Sequence, residues 1–118
     1  MLHNPIFKGF NPDPAICRKG GDYYVAVSTF EWFPGIPIYH SKDMKHWELL
    51  THVLTDDTDP NLTKLPSAKG IWAPCLTYSE SEDMFYVIYG VMNSMNARYF
   101  DVNNYLIKSK SIEGPWSE

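Results

Sequence analysis

The chain has 118 residues, 44% of them apolar and 20% charged; this is the length of one ordinary domain and excludes a disordered segment or a coiled coil. Net charge is −4, from 14 acidic and 10 basic residues with no basic block, which argues against a nucleic-acid partner held through its phosphates. No apolar run approaches the roughly 20 residues of a membrane helix, so no membrane partner is expected. The opening Met-Leu-His-Asn-Pro-Ile-Phe-Lys has neither the basic end nor the apolar centre of a signal peptide. A cytoplasmic location follows as an expectation, with Cys17 and Cys75 as reduced thiols and no disulfide framework.

In chain order, the first informative segment is Gly9-Phe10-Asn11-Pro12-Asp13-Pro14-Ala15-Ile16. Two prolines flank Asp13, and Pro14 biases it towards extended backbone. A carboxylate held stiffly at the mouth of a strand suits a base that must stay within reach of one water. The plain alternative is a proline-rich turn capped by an aspartate. Residues 22–29 follow a Gly-Gly-Asp turn and read as a strand, as do 36–40 and 47–53. Residues 56–67, polar with two prolines, read as a long surface loop. Residues 84–89 and 105–109 are further strands, whereas 89–104, rich in asparagine, fit no pattern and read as a loop or an insertion. No stretch shows helical spacing, and nine prolines are scattered along the chain.

The strands recur. Ala15-Ile16-Cys17, a polar turn and Tyr23-Tyr24-Val25-Ala26-Val27 are echoed by Cys75-Leu76-Thr77, a turn and Phe85-Tyr86-Val87-Ile88-Tyr89. Ile38-Tyr39-His40-Ser41-Lys42, leading to Trp47, is echoed by Leu106-Ile107-Lys108-Ser109-Lys110, leading to Trp116. The offset is about 60 to 70 residues, room for four strands, which is how propeller blades look in sequence. A sandwich of seven or eight strands would also give short strands, but not the repeated Ser-Lys and Trp. Two successive four-stranded sheets are therefore expected.

Aromatic residues make up 15% of the chain, with 8 Tyr, 6 Phe and 4 Trp. Most belong in the core, but a few are expected to face a flat ligand such as a sugar, whose C–H faces pack on rings. Gly70-Ile71-Trp72-Ala73-Pro74 holds the place in the second unit that the Asp13 segment holds in the first, so Trp72 is expected near Asp13. Trp72 could equally fill the gap between blades. Ser28-Thr29-Phe30-Glu31-Trp32-Phe33-Pro34-Gly35 puts three rings and a carboxylate in one loop. His3, His40, His46 and His52 show no metal spacing, and neither a metal nor a cofactor is expected.

Asn-Pro-Asp-Pro, Asp-Tyr-Tyr, Ser-Thr-Phe-Glu-Trp-Phe-Pro-Gly, Ile-Tyr-His-Ser-Lys-Asp, His-Trp-Glu-Leu and Gly-Ile-Trp-Ala-Pro occur here in that order. Together, from about Asn4 to Trp116, they closely resemble the N-terminal part of glycoside hydrolase family 43 β-xylosidases. The resemblance implies an all-β, five-bladed propeller, of which residues 1–118 would be about the first two blades. It implies a glycosidase inverting at the anomeric carbon of xylooligosaccharides or other pentose-containing glycans. Asp13 matches the family's general base, and Phe30 and Trp72 match rings lining the sugar pocket. The second aspartate and the acidic glutamate of the family come from later blades, so the isolated 118-residue chain is expected to be inactive. Glu80, Glu82 and Asp83 read as solvated turn charges. Cys75 stands where the family usually has an aspartate and reads as a small buried filler. A non-catalytic carbohydrate-binding or truncated propeller module is the alternative, and exposed strand edges would permit a homo-oligomer.

Overall fold

The computed structural model describes residues 2–55, 60–94 and 100–117. Seven strands follow in order: β1 (Ala15–Lys19), β2 (Asp22–Ala26), β3 (Gly35–Ser41), β4 (Glu48–Leu54), β5 (Gly70–Ser79), β6 (Met84–Ser94) and β7 (Asp101–Ser109). They form two antiparallel meanders, β1-β2-β3-β4 and β5-β6-β7, and no helix occurs among the described residues.

Turn chemistry sets the connections. Gly20, at φ +60°, lets the chain reverse so that Lys19 pairs with Asp22 across a two-residue loop. Between β3 and β4, Ser41 Oγ accepts from the Asp43 and Met44 amides, and Asp43 Oδ1 accepts from the Lys45 and His46 amides. These bonds to the ionised form, together with that from His46, hold the Asp43 carboxyl far below the usual carboxylate range.

The core lies between the two sheets. Along β6, Phe85, Val87, Tyr89 and Val91 alternate inward, the period of a strand with one covered face. They meet Ile36 and Ile38 of β3, Tyr24 of β2 and Ile71 of β5. Tyr24 and Phe85 pack edge-on, their centroids 5.7 Å apart. Lys19 of β1 crosses to the second sheet, its Nζ 4.5 Å from the Tyr78 ring centroid and 2.7 Å from Asp83 Oδ1. Asp83 is thus a strap between the sheets rather than only a solvated turn charge. The first strands of the two sheets, β1 and β5, lie side by side, which brings the segments that precede them together.

Three expectations change. Residues 89–94 and 101–104 are strand and not loop: β6 runs on to Ser94 and β7 begins at Asp101, with Gly90 opposite Asn104 and Val91 opposite Asn103, while 95–99 lie outside the described residues. Asparagine is a poor strand former, and the pairing is secured instead by Val91 and Met92, which are buried. The second sheet has three strands among the described residues, not four. Yet Ser117 N donates to Lys108 O at 2.9 Å, so the chain after Trp116 has begun to line the outer edge of β7. Trp47 stands likewise just before β4, as the repeat requires. Residues 56–59 of the expected surface loop lie outside the described residues, and Leu62 within it is buried in the core.

Candidate active site

Asp13 precedes β1 with φ at +51°, not extended as the flanking prolines suggest. Aspartate tolerates this left-handed region better than most residues, and a hydrogen bond holds it there. Ser28 Oγ donates to Asp13 Oδ2 at 2.7 Å. The same oxygen accepts the Ala73 amide, also at 2.7 Å. Because the amide brings its own hydrogen, the hydroxyl proton is left for the carboxylate. Ser28 is buried, and its own amide donates to Pro12 O at 3.0 Å. One serine therefore ties the Asp13 turn, the loop after β2 and the middle of β5 together.

A second tie runs parallel to it. Phe30 and Ile71 exchange backbone hydrogen bonds of 3.0 and 2.9 Å, an isolated bridge between the loop after β2 and β5. Close approach is possible because Gly70, at φ +97°, has no Cβ: one placed there would lie 2.3 Å from Phe30 O. Glu31 caps the arrangement by accepting from the Ala68 amide at 3.1 Å and from Ser67 Oγ. The backbone amide of Glu31 itself, then that of Ala68, and after them Ser67, favour its charged form and lower its pKa.

The bridge aligns rings. Phe30 and Trp72 meet edge-on at 5.9 Å; Phe10 packs on Phe30 at 5.7 Å and on Trp32 at 5.6 Å. Phe10 and Trp32 are each about 60% exposed, so one end of this row of four rings is open to solvent. Trp72 Nε1 is buried and has no acceptor among the described residues. Asp13, Phe30 and Ala73 all have positive φ, a concentration of backbone strain in one corner. The structure thus brings Asp13, Phe30 and Trp72 together. Ser28 and Phe10, within the same motifs, were not singled out by sequence; only the fold shows what they touch.

Cys75 is not a buried filler. Four residues of β5, Trp72 to Cys75, face three of β6, Gly90 to Ile88. That extra residue is a bulge, and it turns Cys75 outward opposite Ile88. Cys17 points inward instead, where burial raises the pKa of its thiol. Among the described residues no three His, Cys, Asp or Glu side chains converge as metal ligands.

Two roomy cavities lie elsewhere. One of about 440 Å³ separates β4 from β7 beside Tyr105 and Trp116; one of about 660 Å³ lies beneath the N-terminal arm. The first is lined by Glu113, Trp116 and the stacked Tyr89–Tyr105 pair; the Asp13 corner differs in setting its carboxylate on a serine hydroxyl tied to the next sheet, beside a row of tilted and edge-on rings. There, Oδ2 is fixed by Ser28 while Oδ1 receives no bond from Ser28, an arrangement able to take a proton from water beside a sugar ring stacked on the aromatic row.

The sequence profile described as "Glycosyl hydrolases family 43" matches residues 2–118. A "Beta-xylosidase" of Bacillus subtilis (strain 168) is 49% identical over 117 residues, covering 99% of this chain and 22% of the relative. A "Non-reducing end alpha-L-arabinofuranosidase" of Bacteroides ovatus is 44% identical over 121 residues, covering 99% and 21%. The crystal structure of a xylan β-1,4-xylosidase from Bacillus halodurans C-125 superposes with a TM-score of 0.93 at 46% identity, covering 100% of this chain and 22% of that one. This chain therefore spans about a fifth of the length of the relatives it matches, and the fold they share is the propeller.

Proposed function

The chain belongs to family 43 of the glycosyl hydrolases, and from that premise we propose that it supplies the base-bearing side of an inverting β-xylosidase acting on xylooligosaccharides or other pentose-containing glycans. Its two sheets would be the first two blades of the propeller. The observation that carries this reading is the Asp13–Ser28–Ala73 link set beside the Phe30–Trp72 pair.

In this mechanism Asp13 accepts a proton from a water as that water attacks the anomeric carbon. A carboxylic acid on the far side of the sugar protonates the leaving oxygen. An inverting enzyme keeps the two carboxyl groups roughly 6.5–9.5 Å apart so that the water fits between. Glu31, the other carboxylate of the corner, is engaged by Ala68 and Ser67 and does not serve as this acid. The acid belongs to the part of the relatives that this chain does not span. Phe30 and Trp72 pack against the C–H face of the sugar and exclude water from its underside.

The reading is tested in a chimera in which residues 2–117 replace the matching segment of the Bacillus subtilis relative. The chimera should release xylose from xylobiose, with the α anomer appearing first by proton NMR before mutarotation. A folded chimera without turnover, or one yielding the β anomer first, would overturn it.

A further inference from the structure

Among the described residues, Ser28 is the one side chain that hydrogen-bonds both the proposed base and the next sheet. Resting on the assignment of Asp13 as that base, we propose that Ser28 is a positioning residue: its hydroxyl sets the aim of the Asp13 carboxylate and references it to the backbone beside Trp72.

The argument is geometric. A serine hydroxyl has one proton and can rotate it to several acceptors. Here the Ala73 amide occupies a lone pair of Oγ, which leaves the proton free to point at Asp13 Oδ2. Ser28 itself cannot drift, because it is 2% exposed and its amide is held by Pro12 O. The carboxylate is thereby fixed in rotation about its own axis, with Oδ2 engaged and Oδ1 turned to where a water would be activated. Asp13 needs such a tether: it is exposed, its side chain has no other hydrogen-bond partner among the described residues, and its backbone is strained. The Ala73 end of the link matters equally. Ala73 follows Trp72 directly, so the distance from base to ring wall is set through the single Oγ of one serine rather than through two independent loops. A misplacement of the base by about 1 Å is enough to cost roughly a hundredfold in rate.

A purely structural serine would join the two sheets without affecting chemistry. Ser28→Thr and Ser28→Val separate the two roles, since threonine and valine have the same shape and differ only in the hydroxyl. Any crowding from the added methyl is common to both. In the chimera, kcat and KM for an aryl xyloside would be measured well below the melting temperature of each variant. The expected result is a kcat for Ser28→Val at least about tenfold below that of Ser28→Thr, with KM within about twofold. Equal kcat values for the two, whatever their melting temperatures, would overturn the proposal and leave the assignment of Asp13 intact. An inactive unsubstituted chimera would overturn both, so the two failures are distinguishable.

Discussion

At the scale of single residues, the corner around Asp13 depends on positions that few side chains can occupy. Gly70 shows this most sharply: it has φ +97°, and a Cβ there would collide with the Phe30 carbonyl at 2.3 Å. Gly70→Ala should destabilise the fold by on the order of 3 kcal/mol, from positive-φ strain and displacement of the bridge. Gly21→Ala, with nothing within 4 Å of its Cβ, should stay within about 0.5 kcal/mol of the unsubstituted chain. Urea midpoints of the two variants check this, and equal midpoints would contradict it. Asp13, Phe30 and Trp72 were legible in the sequence because they stand in motifs whose order is specific. Their hydrogen bonds were not, because Ser28 and Ala73 are 45 residues apart and nothing local marks a long-range link. Nor was the φ of Asp13, where a tertiary bond outweighs the preference imposed by Pro14.

At the scale of elements, alternation and turn signals located most strands, and the repeated Ser-Lys and Trp fixed the two-sheet plan. The sequence failed where one face is unusual. The asparagines at 103 and 104 disguise β7, whose pairing with β6 is secured by the buried side of that partner. The bulge in β5 is invisible in composition, yet it reverses the facing of Cys75. On the open face of the second sheet Cys75, Ile88 and Leu106 form a cross-strand row, all exposed. Titration of the folded chain with a thiol reagent should therefore modify Cys75 rapidly and Cys17 only on unfolding. Two fast thiols, or none, would contradict the assignment of faces.

At the scale of the whole molecule, two sheets meet along β1 and β5, and the segments leading into those strands carry the proposed site. The same packing that buries Ile36, Ile38, Ile71, Phe85 and Val87 holds Asp13 against Ser28 and Phe30 against Trp72. Stability and site geometry are one construction. In the proposed reading it supplies the base and part of a sugar wall, and glycoside hydrolysis by inversion also requires an acid across the pocket. The central claim is that Asp13 activates the attacking water, and Asp13→Asn in the chimera tests it most directly. Asparagine keeps the shape and the bond from Ser28 but cannot take the proton. The account predicts that kcat falls at least about a hundredfold while KM changes by no more than a few-fold. A kcat within a few-fold of the unsubstituted chimera would contradict it.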